Sequence, residues 1–109
     1  MAADISVVLE GTLASTSTAL NSNSSPYTVP ALRKLIIMEM SLVNKTVTDQ
    51  TATITSSSGT TLFPTKLVLK NDGYLQQRQT QLLTGKQVMG LAGAAASIDY
   101  YLSCLEVDA

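Results

Sequence analysis

The chain has 109 residues, 45% of them hydrophobic and only 14% charged, with a net charge of −1. That length fits one domain with a real core and not two. Its seven Lys and Arg are scattered rather than striped, which excludes a phosphate-binding face, and the lack of His beside a single Cys104 excludes an internal disulfide, a His-activated nucleophile and the common zinc sites.

Ile5, Val7 and Leu9 alternate with Ser6, Val8 and Glu10, the pattern of a short strand with one apolar face, and Gly11 breaks or bends it. The hydroxyl-rich run TLASTSTAL (12–20) follows, with Leu13 and Leu20 at the core edge. Asn21 to Pro26, NSNSSP, is loop chemistry, because Asn and Ser bond their own backbone and Pro stops a strand. Tyr27-Thr28-Val29-Pro30 reads as a short extended piece ending at a sheet edge or corner.

Arg33 to Asn44, RKLIIMEMSLVN, is the longest apolar run and it alternates, so it reads as the central strand of a sheet. The expected core face is the even one: Ile36, Met38, Met40 and Leu42. Glu39 is the one charge within the run; it points outward with Ser41, or it pairs with Arg33 or Arg78 of a neighbour.

After a polar connection (44–50), TATIT (51–55) is a strand with a light core face, closed by a turn at Ser56 to Gly59. Two short strands are expected around Pro64, then a turn at Asn71-Asp72-Gly73. Tyr74 to Gln81 is polar and reads as an exposed or edge strand, although Gln and Arg also suit a helix. Val88, Met89 and Leu91 begin the penultimate strand, where Gly90 and Gly93 suit a bulge or close packing. In the last strand, from Ser97 to Val107, Ile98, Tyr100, Leu102 and Cys104 form an apolar face, while Asp99, Tyr101, Ser103, Leu105 and Val107 form a mixed one. About eight short strands separated by turns predict an all-β fold, a single small antiparallel β-sandwich of jelly-roll type over 1–109. Within it, 1–25 is a candidate arm or edge segment contacting neighbouring subunits.

No catalytic, cofactor-binding or metal residues are expected. The carboxylates lack calcium-loop spacing, and Thr84-Gly85-Lys86-Gln87 lacks the upstream glycine of a phosphate loop. Cys104 reads as a small buried hydrophobe. MAADISVVLEG has no secretory signature, and the small-residue run 90–96 is too short for a bilayer, so synthesis and folding in a cytoplasm, without membrane or nucleic-acid partners, are expected.

Surplus hydrophobes are the more informative feature. The last strand has apolar groups on both faces, and the odd face of the central strand carries Leu35, Ile37 and Val43. A two-sheet sandwich buries one face of each sheet, so either strand ends and loops cover the rest or identical copies do. Ser and Thr, about a quarter of the chain, fit a covered surface and an ordinary β-rich surface equally. The candidate assembly residues are Tyr101, Leu105 and Val107, with Ile5, Val7 and Leu9 beside them and Leu35 and Ile37 on the central strand.

Tyr27-Thr28-Val29-Pro30-Ala31, LIIMEMSLVNKTVTDQTATI (35–54), LLTGKQV (82–88) and ASIDYYLSCLEV (96–107) together resemble small β-sandwich virion proteins of tailed bacteriophages. The resemblance spans about residues 12 to 107. Leu32 stands where such proteins usually carry a Gly after the Pro-Ala, which bears on the tightness of that turn. The resemblance implies a non-enzymatic, oligomeric capsid decoration (cement) or tail-associated protein without choosing between them, and a cement on the head surface of the virion is the expectation. Its implied partners are itself, as a homotrimer, and the major capsid protein. A tail, neck or baseplate component is the alternative. A carbohydrate-binding module for host attachment is an alternative of another class, disfavoured by the lack of Trp and the presence of only one Phe and four Tyr.

Overall fold

In a computed structural model the described residues are 3–77 and 79–109, with backbone alone for 63–66. Among the described residues eleven strands run in chain order: β1 (Ile5–Thr12), β2 (Thr18–Ala19), β3 (Asn21–Ser22), β4 (Ser25–Pro26), β5 (Arg33–Asn44), β6 (Gln50–Ser56), β7 (Thr61–Val68), β8 (Gly73–Gln76), β9 (Thr80–Leu82), β10 (Val88–Ala92) and β11 (Ile98–Asp108). The first sheet has the order β1-β11-β5-β8, with β9 also paired to β5; the second has the order β2-β10-β6-β7; β3 and β4 form a separate small hairpin. All the pairings are antiparallel. Inward side chains of both sheets merge into one buried cluster, from Leu9, Leu35, Leu42 and Leu102 on one side to Ala52, Ile54, Val88 and Ala92 on the other. The predicted all-β sandwich is the observed architecture.

β5 and β11 are its spine, paired from Ile98↔Asn44 to Asp108↔Arg33. The inward face of β11 is the predicted one: Ile98, Tyr100, Leu102 and Cys104 are all buried, and Glu106 continues the series. β5 differs from expectation. Ser103 pairs with Glu39 and Cys104 with Ile37, so Met38 is an extra residue, a β-bulge, and the inward parity switches there. Leu35 and Ile37 point inward before it and Met40 and Leu42 after it, while Met38 is 42% exposed. The even-face reading therefore holds only beyond the bulge, and Ile36 and Met38 are not core residues.

β7 is one continuous strand through Pro64, not two, because an edge strand tolerates a residue with no N–H to donate. The span predicted as an edge strand supplies two short ones at the edge of the first sheet, β8 ending at Gln76 and β9 beginning at Thr80, while Arg78 lies outside the described residues. Gly90 answers to close packing: a Cβ there would lie 2.8 Å from Leu13 and 2.9 Å from Leu20, both fully buried. β1 is no free arm. Its eight residues pair with β11 throughout, and it forms the outer edge of the first sheet.

Each end of β5 closes on a buried polar residue. At the start, Arg33 lies between Glu106 (Nε–Oε2 3.2 Å) and Asp108 (Nη1–Oδ1 2.6 Å), and its Nη2 donates to the carbonyls of Ala3 (2.7 Å) and Glu106 (2.9 Å). Tyr27 donates its hydroxyl to the other oxygen of Glu106 at 2.6 Å. One guanidinium thus ties the N-terminal segment to the final strand, and Tyr27 adds the loop before β5. At the far end Asn44 donates to Thr48 O (2.8 Å) and Val68 O (2.9 Å) and accepts from Thr46 N (2.9 Å). That single amide holds the β5–β6 connection against β7.

Candidate assembly face

Alternation along β1, β11, β5 and β8 sends every second side chain away from the core, and register lines these up in rows. One row is Glu10, Tyr101, Ser41 and Leu75; another is Ser6, Leu105, Ile36 and Gln81; a third is Thr12, Asp99, Val43 and Gly73. Val8 sits beside Ser103, and Val107 beside Lys34. The outer face of this sheet is therefore rich in large apolar groups. Tyr101 is 47% exposed, Val43 46% and Leu75 55%, while Val8, Ile36, Leu105 and Val107 are half-buried by their neighbours alone.

Of the predicted assembly residues, Tyr101, Leu105 and Val107 lie together on this face. Ile5 and Val7 do not: they belong to the inward parity of β1, Ile5 exposed at the sheet margin and Val7 packed on the core. Leu9, Leu35 and Ile37 are corrected outright. All three are 0% exposed inside the chain's own core, because β1 turns its odd face inward and the bulge at Met38 puts the odd residues before it on the buried side. Sequence reasoning missed Val8, Ile36, Met38 and Leu75. Register places Ile36 beside Leu105, but Val8 pairs with Ser103, Leu75 pairs with Ser41 and Met38 is the bulge, so only their apolar character marked these three in the sequence.

At one end of the face lies an open concavity of about 540 Å³, lined by Glu10, Thr12, Ser41, Asp99 and Tyr101, with Ser24 of the hairpin at its rim. Asp99 accepts from the Thr12 hydroxyl (2.7 Å) and meets Lys45 Nζ at 3.0 Å. The Thr12 bond, against the opposing effect of partial burial and with help from Lys45, holds its carboxyl below the usual carboxylate range. The Lys45 pair is half-exposed and contributes little stability. Glu39 is half-buried and accepts from Gln77 (3.3 Å). Arg33 is held within its own chain, so it is not the neighbour's cation imagined for Glu39, and Arg78 falls outside the described residues.

Cys104 is a buried free thiol whose pKa burial pushes up to about 12, which leaves it protonated and unreactive at neutral pH. Burial, and then the bond to Glu106, push the Tyr27 hydroxyl well above its ordinary value. Among the described residues no three His, Cys, Asp or Glu side chains come together as a metal site. Among the same residues no helix is long and apolar enough to cross a membrane. What this arrangement offers chemically is contact, apolar at its centre and hydroxyl-rich and acidic at one end.

No protein-family model matches the chain, and no curated protein matches it. Solved structures do. A chain from the acidic stable capsid structure of Helicobacter pylori bacteriophage KHP30 superposes with a TM-score of 0.58 at 11% identity, over 99% of this chain and 95% of that one. A chain from the disulfide-linked pili formed by Bacillus endospore appendages gives a TM-score of 0.55 at 17% identity, over 97% and 87%. A family 35 carbohydrate binding module from Clostridium thermocellum reaches only 0.42 at 15% identity, over 97% and 92%, and carries no argument. At such identities the likeness is one of fold: this chain has the fold of small β proteins found in phage capsids and pili.

Proposed function

We propose that this protein is a non-enzymatic structural component of a phage particle, a cement that decorates the head shell and binds it through the outer face of the first sheet. The observation that carries the reading is that face, where Tyr101, Val43 and Leu75 stand exposed beside Leu105, Ile36 and Val107 on a chain with few charges. Exposed large apolar groups in register mark a surface that another protein covers. The fold shared with a chain of a phage capsid supports the setting, as does the sequence resemblance to tailed-phage virion proteins. Covering the face would stabilise the shell by roughly 25 cal/mol per Å² of apolar area, and capsid symmetry repeats that modest gain at every copy. Self-association on the assembled shell belongs to the same reading, the expected trimer at its lattice junctions being the finer part and a contact distinct from any pairing of the free protein.

The test is quantitative mass spectrometry of purified virions of the phage that encodes the chain. A copy number comparable to that of the major capsid protein supports shell decoration. A few dozen copies or fewer moves the protein to the tail, neck or baseplate. Absence from the particle overturns the structural reading and favours a free binding protein.

A further inference from the structure

The four sheet edges of this sandwich are not equally protected. An edge strand offers unpaired N–H and C=O groups to any passing strand, and proteins blunt it by shortness, Pro, Lys or bulges. β8 and β9 have four and three residues, and β2 has two. β7 is long, but its sequence holds Pro64 and Lys66 and its pairing is broken by register shifts at two places. β1 is the exception. Its eight residues, ISVVLEGT, contain neither Pro nor Lys, and its ladder to β11 has no irregularity; the β3–β4 hairpin packs beside its C-terminal end, where Ser24 lies near Gly11 and Thr12, and leaves the stretch centred on Val8 open.

The phase of that ladder fixes which groups are free. Leu13 donates its N–H to Ile98 O at 2.8 Å, in register with the β1–β11 pairs, so the odd residues of β1 bond to β11. By the alternation of an antiparallel ladder, Ser6, Val8 and Glu10 turn their N–H and C=O toward the open edge. Their side chains stand on the outer face, next to Leu105, Ser103 and Tyr101.

We propose that this edge pairs with β1 of a second copy of the chain, antiparallel, about a twofold axis at Val8. Only even residues can bond across the seam, which leaves few registers. With Val8 opposite Val8 of the partner subunit, Ser6 meets the partner's Glu10 and no like charges face each other. A shift of one step sets Asp4 against the partner's Glu10, two carboxylates in direct opposition, which is unfavourable. The opposite shift sets Glu10 against the partner's Val8. The seam also joins the two outer faces into one continuous sheet with Val8 at its centre. This contact is independent of the shell reading, since it is a property of the free protein.

The experiment is the solution mass of the purified full chain by sedimentation, with three variants. The wild-type chain is expected at twice the monomer mass. Val8→Pro removes an N–H that β11 does not use, so it should halve that mass while leaving the melting temperature of the monomer fold almost unchanged. Val8→Lys, an edge charge that keeps the N–H, should do the same and stands in if the proline variant fails to fold. Val8→Cys should form a disulfide-linked dimer on mild oxidation, since paired residues across such a seam have Cα atoms about 5.5 Å apart; buried Cys104 stays silent. A monomeric or trimeric wild type overturns the pairing, as does a folded Val8→Lys variant that keeps the wild-type mass or a Val8→Cys chain that does not cross-link. The copy number in virions is a separate readout, so failure here and failure of the shell reading are told apart.

Discussion

The two halves of β5 do the same job with opposite parity. From Arg33 to Ile37 the odd residues face the core; from Met40 to Asn44 the even ones do, and Met38 absorbs the difference. Each inward series ends on a buried polar residue, but of different kinds. Arg33 is a charge compensated by two carboxylates that come from the far end of the chain, and Asn44 is a neutral amide bonded to carbonyls of the neighbouring loop and β7. The lesson is that an extra residue in a strand is harmless when it falls where the side chains on both faces are apolar. Ile36, Ile37 and Met38 fit either side of a sheet, so the flip costs no buried charge.

The sharpest way to break this comparison is to delete one residue from β5. Removing Met38 restores plain alternation, with Ile37 inward, Glu39 outward and Met40 inward, so stability should change by about 1 kcal/mol or less. Removing Ser41 instead reverses every side chain on one side of the cut, sending Leu42 and Asn44 outward or the whole first half with them. That variant should lose its cooperative thermal transition altogether. Equal effects of the two deletions would show that Met38 is not the slack in the strand.

The neutral lock at Asn44 should be the next most costly to break. Asn44→Ala leaves the carbonyl of Val68 and the Thr46 N–H without the amide that now serves them, in a position 1% exposed, while Thr48 O keeps the Thr46 hydroxyl. Orphaned buried polar groups cost roughly 1–3 kcal/mol. A fall of about 2 kcal/mol in urea unfolding is expected, by the same rule.

The first half carries an alkaline sensitivity that the second half lacks. Cys104, opposite Ile37, has a pKa raised from 9.0 to about 12 by burial. Its proton is held more tightly in the folded chain than in the unfolded one, so its stabilising effect is full below pH 9 and is lost as pH climbs toward 12. Tyr27, also raised, acts in the same direction above its ordinary value of 10.0. At about pH 10.5 the Cys104 contribution to the loss should be on the order of 2 kcal/mol. Cys104→Ala should flatten the stability profile between pH 9 and that point, leaving only the Tyr27 part. A variant with the wild-type slope would assign the sensitivity elsewhere.

Much of this fold was legible in the sequence because most strands keep one parity from end to end. The inward face of β11 and the edge character of β8 and β9 follow from alternation or polarity, whereas Leu13 and Leu20, expected at the core edge, lie within the core. The parity of β5 was not legible, because the four consecutive apolar residues from Leu35 to Met38 carry no phase. That error spread to the candidate site and put Leu35 and Ile37 on the surface. The burial of Arg33 was hidden for a different reason. Its partners Glu106 and Asp108 lie more than 70 residues away, so no local pattern announces them. Tyr101, Leu105 and Val107 were placed correctly on the outward side because β11 has no bulge of its own beside them.

One residue at the approach to the first half is strained, and it marks where the chain departs from the proteins it resembles. Leu32 has φ of 62°, in the left-handed region, as the third residue of a turn closed by Arg33 N–H to Pro30 O at 3.2 Å. That position in such a turn calls for Gly. Leu32 keeps the turn but carries a steric penalty of roughly 1–2 kcal/mol, and at 83% exposure it recovers almost nothing by packing. Leu32→Gly should therefore stabilise the folded chain, by about 1 kcal/mol, since the greater freedom of glycine in the unfolded state takes back part of the relief. Denaturant unfolding of the variant measures it directly. A gain of that sign would mean that the turn is held by the locks on either side of it, Val29 packed in the core and Arg33 bound to Glu106. A loss would mean that the exposed leucine is itself covered when the protein is assembled, and the same variant would then shift the solution mass.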